Sequence, residues 1–264
     1  MAPYLRIGSV AITPEGLLLP VAAAYFALLL YRGVYPGLET RQLRAILLTV
    51  TCCLGAVIGG RVYGFVQPLY LGEPVFSNGA WIEARFGSFG AVWAILAVQT
   101  IYGRLGGHVA FRYTDAAIPA ICIASAIARV SCLFQGCCPS VPPAPLEHWL
   151  NPAYLWPCLD VAALSLVLVQ VQSARAKWIP TPAGLVTAVY LCVYGLLRFG
   201  MESLRDTHTI AGPFTYGQVL AFVQIAAGLY VARRVRAGAR QRLQSRSNSM
   251  LEHSAPDLQN PVRY

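Results

Sequence analysis

The feature that most constrains this chain is the recurrence of long apolar runs separated by short segments that carry arginine. Crossing the hydrocarbon of a bilayer takes a helix of about 20 mostly apolar residues. Runs near that length fall at residues 16–31, 42–66, 88–103, 114–135, 152–172, 182–204 and 215–232. Composition agrees, with 56% of residues hydrophobic and only 12% charged. A soluble domain carries about 25% charged residues. The expected fold is all-α: a polytopic membrane protein with roughly seven transmembrane helices. A transmembrane domain is expected over 1–237. The Ser/Gln/Arg-rich tail over 238–264 is expected to be disordered. The first run is followed by Tyr31 and Arg32 instead of a small-residue cleavage site, so it reads as a retained span.

The net charge of +9 could point to nucleic acid, but its placement points to topology. Arg32, Arg41 and Arg44 flank the first loop, and Arg104 and Arg112 the third. Arg175 and the sole lysine, Lys177, lie in the fifth, and Arg233, Arg234, Arg236, Arg240 and Arg242 follow the last run. These segments alternate, so all can be cytoplasmic together, and the fourth loop, 136–150, holds neither Lys nor Arg. The expected orientation is N-terminus out, C-terminus in, with no nucleic-acid partner.

Four arginines break that pattern. Arg61, Arg129, Arg198 and Arg205 belong to spans and lie toward their outer ends. A charge inside a span is costly and marks a pathway or a site by default. In "YGLLRFGMESLRD", 194–206, Tyr194, Arg198 and Glu202 recur at every fourth position and share a helix face. Arg205 follows one turn later. A structural Arg–Glu pair would explain that helix alone. Several guanidiniums converging at one depth point further, to a phosphate site, because the arginine fork matches phosphate oxygens. At that depth the phosphate would be a phospholipid headgroup. In "GAVIGGRVYGF", 55–65, glycines let a ligand or another helix approach beside Arg61. Asp115 opens the fourth span and is expected to cap its own helix.

These segments, in this order, resemble the prolipoprotein diacylglyceryl transferase family. "GGRVYGF" looks like that family's Gly-Gly-Arg-Leu-Gly-Tyr stretch. "DAAIPA" with "ARVSCLFQG" looks like its Asp-x-x-x-Pro helix ending in Gly-Arg-x-Gly-Asn-Phe-x-Asn-Gly. "VYGLLRFGMESLR" looks like its Tyr-Gly-x-x-Arg-Phe-x-x-Glu-x-x-Arg helix, and "YGQVLA" resembles the start of its last span. The resemblance implies transfer of a diacylglyceryl group from phosphatidylglycerol to the thiol of a lipoprotein-precursor cysteine, at the outer leaflet of the bacterial plasma membrane. It implies that Arg129 and Arg198 hold the lipid phosphate, that Glu202 orients Arg198, that Tyr194 lines the cavity and that Arg61 and Arg205 support it. No metal or diffusible cofactor is implied. The partners would be phosphatidylglycerol, the precursor's signal peptide and membrane lipids.

The chain departs from the family where the acceptor would be handled. Phe89 stands at the family's histidine, Cys132 at an asparagine, Cys137 at a glutamate, and Glu15 at the tyrosine of the first span. Arg129 and Cys132 lie three residues apart on one helix face. The thiols of "SCLFQGCC" could form a disulfide, pack as small hydrophobes, react as thiolates or bind metal. Cys52, Cys53, Cys122, Cys158 and Cys192 lie inside apolar runs and read as small core residues. Glu15, His148 and His208 are the external candidates for a base. Two further readings stay open: a divergent paralogue with another acceptor, and a non-catalytic phospholipid-binding membrane protein.

Overall fold

A computed structural model describes residues 5–7, 10–12, 14–34, 42–71, 87–105, 111–135, 162–163, 182–203 and 209–254. Side chains are described over 17–31, 42–66, 87–105, 111–128, 130, 162–163, 182–203, 212–241 and 244–245. Among these residues the chain is almost entirely helical. A hairpin of β1 (Leu5–Ile7) and β2 (Val10–Ile12) leads into α1 (Pro14–Leu28), which widens into a π-helical stretch over Leu29–Val34. Then come α2 (Gln42–Leu71), α3 (Ser88–Leu105), α4 (Arg112–Gln135) and α5 (Leu185–Glu202). A second hairpin, β3 (Thr209–Ala211) with β4 (Phe214–Thr215), turns the chain into α6 (Tyr216–Ser254).

Six of the seven expected runs correspond to these helices. The fifth, 152–172, lies outside the described residues apart from a helical piece at 162–163. By length and composition, α2 over Gln42–Val66 and α5 are long and apolar enough to cross a membrane. The last helix continues past residue 238, where the sequence places a disordered tail, and the backbone is helical to Ser254. Its 39 residues span about 58 Å at 1.5 Å per residue, about twice a bilayer's hydrocarbon thickness.

The helices pack chiefly as pairs: α5 on α6, α2 on α3 and α1 on α4, with α4 also meeting α3 and α5. Leu30, Leu48, Cys52, Ile118, Ile121 and Tyr190 form the centre of the core. Cys52 and Cys122 are buried there, as expected of small apolar side chains, while Cys53 and Cys192 are half-buried. The α2–α3 pair is a backbone-to-backbone crossing. A methyl group on Gly59 would stand 2.5 Å from the Gly90 carbonyl oxygen and 2.6 Å from Ala94 Cβ. The N–H of Gly87 donates to Gly60 O at 2.9 Å, tying the start of α3 to α2. On the opposite face of α2, Leu43, Ile46, Leu47, Val50, Leu54, Val57 and Ile58 are exposed. An apolar stripe of that length left open to water is rare, whereas hydrocarbon accommodates it.

The N-terminus of α5 is capped from another helix. Its N-cap residue, Gly184, has φ +99° and no side chain to offer, and a Cβ there would strike Val235 at 2.8 Å. Asp115 supplies the cap. Its Oδ2 accepts the Gly184 N–H at 2.6 Å; its Oδ1 accepts the Thr187 N–H at 2.8 Å and the Thr187 hydroxyl at 2.6 Å. These are the N-cap and third-residue donors that a local capping box would satisfy. One carboxylate 69 residues upstream takes both. This corrects the expectation that Asp115 caps its own helix. It does lie in the first turn of α4, but its oxygens are committed to α5, whose exposed N–H groups and dipole have no side chain of their own.

Asp115→Ala is expected to lose about 2 kcal/mol of stability, the upper end for removing an N-cap. Asp115→Asn, which keeps an acceptor oxygen, should lose less. Thermal unfolding of the purified protein measures both. Equal stability of the alanine variant and the parent would show that the cap carries no weight.

Candidate functional site

The face of α5 that carries Tyr194, Arg198 and Glu202 turns inward, and all three side chains are buried. Arg198 Nη2 lies 3.6 Å from Glu202 Oε2, within ion-pair reach but longer than a charge-assisted hydrogen bond. The guanidinium also lies over the ring of Phe89, 5.5 Å from its centroid. Phe89 in turn packs against Tyr63 of α2 at 6.0 Å and Trp93 of α3 at 6.4 Å. Tyr63 reaches Tyr216 of α6 at 5.8 Å. An aromatic platform built from three helices thus supports one face of a buried arginine. Tyr194 stacks on Tyr190 below it, with ring centroids 5.5 Å apart.

The C-terminal end of α5 is fixed as firmly as its start. "TYGQ", 215–218, is a capping box at the head of α6: Gln218 N–H donates to Thr215 Oγ1 at 3.2 Å, and Thr215 N–H donates to Gln218 Oε1 at 3.0 Å. Gln218 Nε2 then donates to Ser203 Oγ at 3.0 Å, joining the cap of α6 to the end of α5. Between them Gly217 faces Glu202. A Cβ on residue 217 would stand 2.5 Å from both carboxylate oxygens, so only glycine leaves room for the acid.

The Asp115 cap also sets a register between α4 and α5. Arg129 follows Asp115 by fourteen residues, and Arg198 follows Gly184 by fourteen. Each arginine backbone therefore rises about 21 Å from the shared cap, and the two lie at matching heights on neighbouring helices. Arg61 is half-buried on α2, two residues from Tyr63. The side chains of Glu15, Arg129 and Cys132 lie outside the described residues, although their backbones belong to α1 and α4. Arg205 and Cys137 lie outside them altogether.

A narrow cleft of about 10 Å³, room for about one water molecule, opens beside this arrangement, lined by Ser88, Phe89, Val92, Trp93, Ser125, Tyr194 and Gln224. Phe89 and Tyr194 join it to the Arg198 pair. Gly217 and Gln218 entered the sequence reading only through the resemblance of "YGQVLA", and their capping and packing roles were not read from it, although the T-x-x-Q spacing signals the cap. Gln224 escaped it; a lone glutamine in the apolar stretch "AFVQIAA" was the signal.

A family model described as prolipoprotein diacylglyceryl transferase matches residues 3–233. The chain belongs to that family. Among its relatives, a phosphatidylglycerol–prolipoprotein diacylglyceryl transferase of Bordetella avium is 28% identical over 257 residues, covering 85% of this chain and 90% of the relative. One of Solidesulfovibrio magneticus is 25% identical over 251 residues, covering 87% and 92%. One of Azoarcus sp. is 28% identical over 166 residues, and there the chain spans 61% of the relative's length.

Gly217→Ala places a methyl group on the Glu202 carboxylate. It is expected to displace Glu202 and to reduce function by as much as Glu202→Gln does, while Gly200→Ala, where the added methyl meets nothing within 4 Å, should be silent. Assaying the three variants side by side checks this, and a fully active Gly217→Ala variant would detach Glu202 from the site.

Proposed function

We propose that the chain is a membrane transferase that moves the diacylglyceryl group of phosphatidylglycerol to the thiol of a lipoprotein-precursor cysteine. The observation that carries this reading is the buried Arg198–Glu202 pair, held on a helix fixed at both ends and backed by an aromatic platform. In the reaction a sulfur–carbon bond forms as the carbon–oxygen bond to phosphate breaks. Glycerol phosphate leaves with the electron pair, and the acceptor thiol gives up its proton. The leaving group gains negative charge, and guanidiniums fixed in a water-poor site are suited to neutralise it. Arg198 and Arg129 take the phosphate oxygens in this reading. Glu202 orients Arg198, Tyr194 lines the cavity, and Arg61 and Arg205 support the charge.

The membrane part of the proposal follows the loop charges and the exposed apolar face of α2. The chain spans the bacterial plasma membrane about seven times, N-terminus out and C-terminus in, with a membrane domain over 1–237 and a cytoplasmic segment beyond it. The arginine site then faces the outer leaflet.

Phe89 favours a second reading. At the position where the resemblance implies a histidine, this ring is buried against Arg198 and carries no exchangeable proton. A divergent paralogue with the same lipid donor but another acceptor accommodates that change. Complementation of a strain depleted of its own transferase separates the two readings. Rescue supports the lipoprotein acceptor; lipid binding without rescue supports the other.

Arg198→Ala and Arg129→Ala are each expected to abolish transfer, and Arg198→Lys should fail too, because a point charge does not copy a two-pronged fork. Turnover with phosphatidylglycerol and a precursor peptide measures all three. For the topology, a cysteine introduced at 145 in a cysteine-free background should react with an impermeant reagent in intact cells, and one at 177 should not. The reverse pattern would put the site on the other leaflet.

A further inference from the structure

Gln224 is a polar side chain in an apolar place. It lies on the inward face of α6 and is only 2% exposed. Its amide lines the cleft beside Phe89 and Tyr194. Among the described residues it makes no hydrogen bond, nor does Ser125, which lines the same cleft from α4. A primary amide brings two donors and an acceptor, and this one lines the cleft. Leucine or alanine would fill that place in an apolar helix pair. An amide there suits a polar group that enters the cleft.

The height of Gln224 identifies what it would meet. A Cβ on Gly195 would touch Ile225 at 2.7 Å, and one on Gly228 would touch Cys192 Sγ at 2.6 Å, which fixes the antiparallel register of α5 and α6. Gln224 thus lies level with Tyr194, one helical turn below Arg198 on the side away from the Glu202 end. Ser125 lies one turn below Arg129 on α4 in the same sense. A phospholipid with its phosphate at the arginines and its chains running deeper puts its glycerol esters at this level. Ester carbonyl oxygens are acceptors, and they match the amide N–H donors of Gln224 and the hydroxyl of Ser125.

We propose that Gln224 is a specificity-determining contact for the ester-linked glycerol of the lipid donor, with Ser125 assisting. The proposal rests on the lipid-donor reading given above. It distinguishes an ester-linked donor from an ether-linked one, which has the same phosphate, glycerol and chains but lacks the carbonyl oxygens.

The test compares dioleoyl phosphatidylglycerol with its dialkyl ether analogue, for binding to the purified full-length protein by native mass spectrometry and for transfer to a precursor peptide. The parent protein is expected to prefer the ester about five- to tenfold, the scale of one neutral hydrogen bond. Gln224→Leu should lower ester binding to the ether level and leave ether binding unchanged. The ether lipid thereby reports that the variant is folded. Gln224→Met, a closer match in shape, should behave likewise. Absence of a preference in the parent overturns the proposal, as does a preference that survives in both variants. Loss of both lipids in both variants overturns it too, because the effect would then not follow the carbonyls. Failure of the transferase reading looks different: no thioether product with either lipid, while the binding ratio still reports on Gln224.

Discussion

Everything at the candidate site depends on the carboxylate of Asp115, because it fixes where α5 begins. Helix α5 starts at a glycine that cannot cap it, between a left-handed turn and the wall of α6. An uncapped helix end buried among apolar neighbours would fray or shift. The foreign carboxylate removes that freedom, and by doing so it ties two helices together at one end. Fourteen residues further along each of them stands an arginine. A single ion-to-backbone cluster therefore sets the relative height of two arginine backbones about 21 Å away. The other end of α5 is held through Gln218 and Ser203, so the segment carrying Arg198 and Glu202 has little room to slide.

The second constraint is close approach. Gly59 and Gly90 let α2 and α3 touch backbone to backbone, which brings Tyr63 against Phe89 and Phe89 under Arg198. Gly217 lets α6 come up against the Glu202 carboxylate. In each case the missing side chain sets the spacing, and the neighbouring aromatic or charged group fills it. The "GAVIGGRVYGF" segment is thus a packing device that also delivers aromatic support to the site. The sequence left helix packing and approach of a ligand beside Arg61 both open, and the packing is what the Gly59–Gly90 crossing shows.

Tyr194, Arg198 and Glu202 were legible as one face because little besides a shared inward surface places polar residues at a period of four inside an apolar run. The helix positions were legible from the lengths of the apolar runs themselves. The direction of Asp115's bonds was not. First-turn acids commonly serve their own helix, and a partner 69 residues away leaves no local trace. Gly184 was the clue, a helix start with no capping side chain, and it acquires meaning only once α4 lies alongside. Gln224 was hidden differently. One glutamine among apolar residues barely alters hydropathy, so its importance comes from burial and from the cleft it faces. Composition falls polar at residue 238, yet α6 continues to Ser254, in keeping with arginine and glutamine being good helix formers.

Charge balance then limits how the proposed site can work. Arg198 and Glu202 together carry no net charge, and a neutral pair is what a low-dielectric interior tolerates. A phosphodiester entering beside that pair would bring one uncompensated negative charge. In hydrocarbon such a charge is costly unless another cation meets it. In the proposed site that charge is met by the arginines outside the Arg198–Glu202 pair, Arg129 together with Arg61 and Arg205. On this reasoning the arginines are not duplicates. Arg198 is neutralised in advance and held still by Glu202 and Phe89, which suits it to positioning the phosphate. In the proposal, Arg129, Arg61 and Arg205 bring the charge that binding requires.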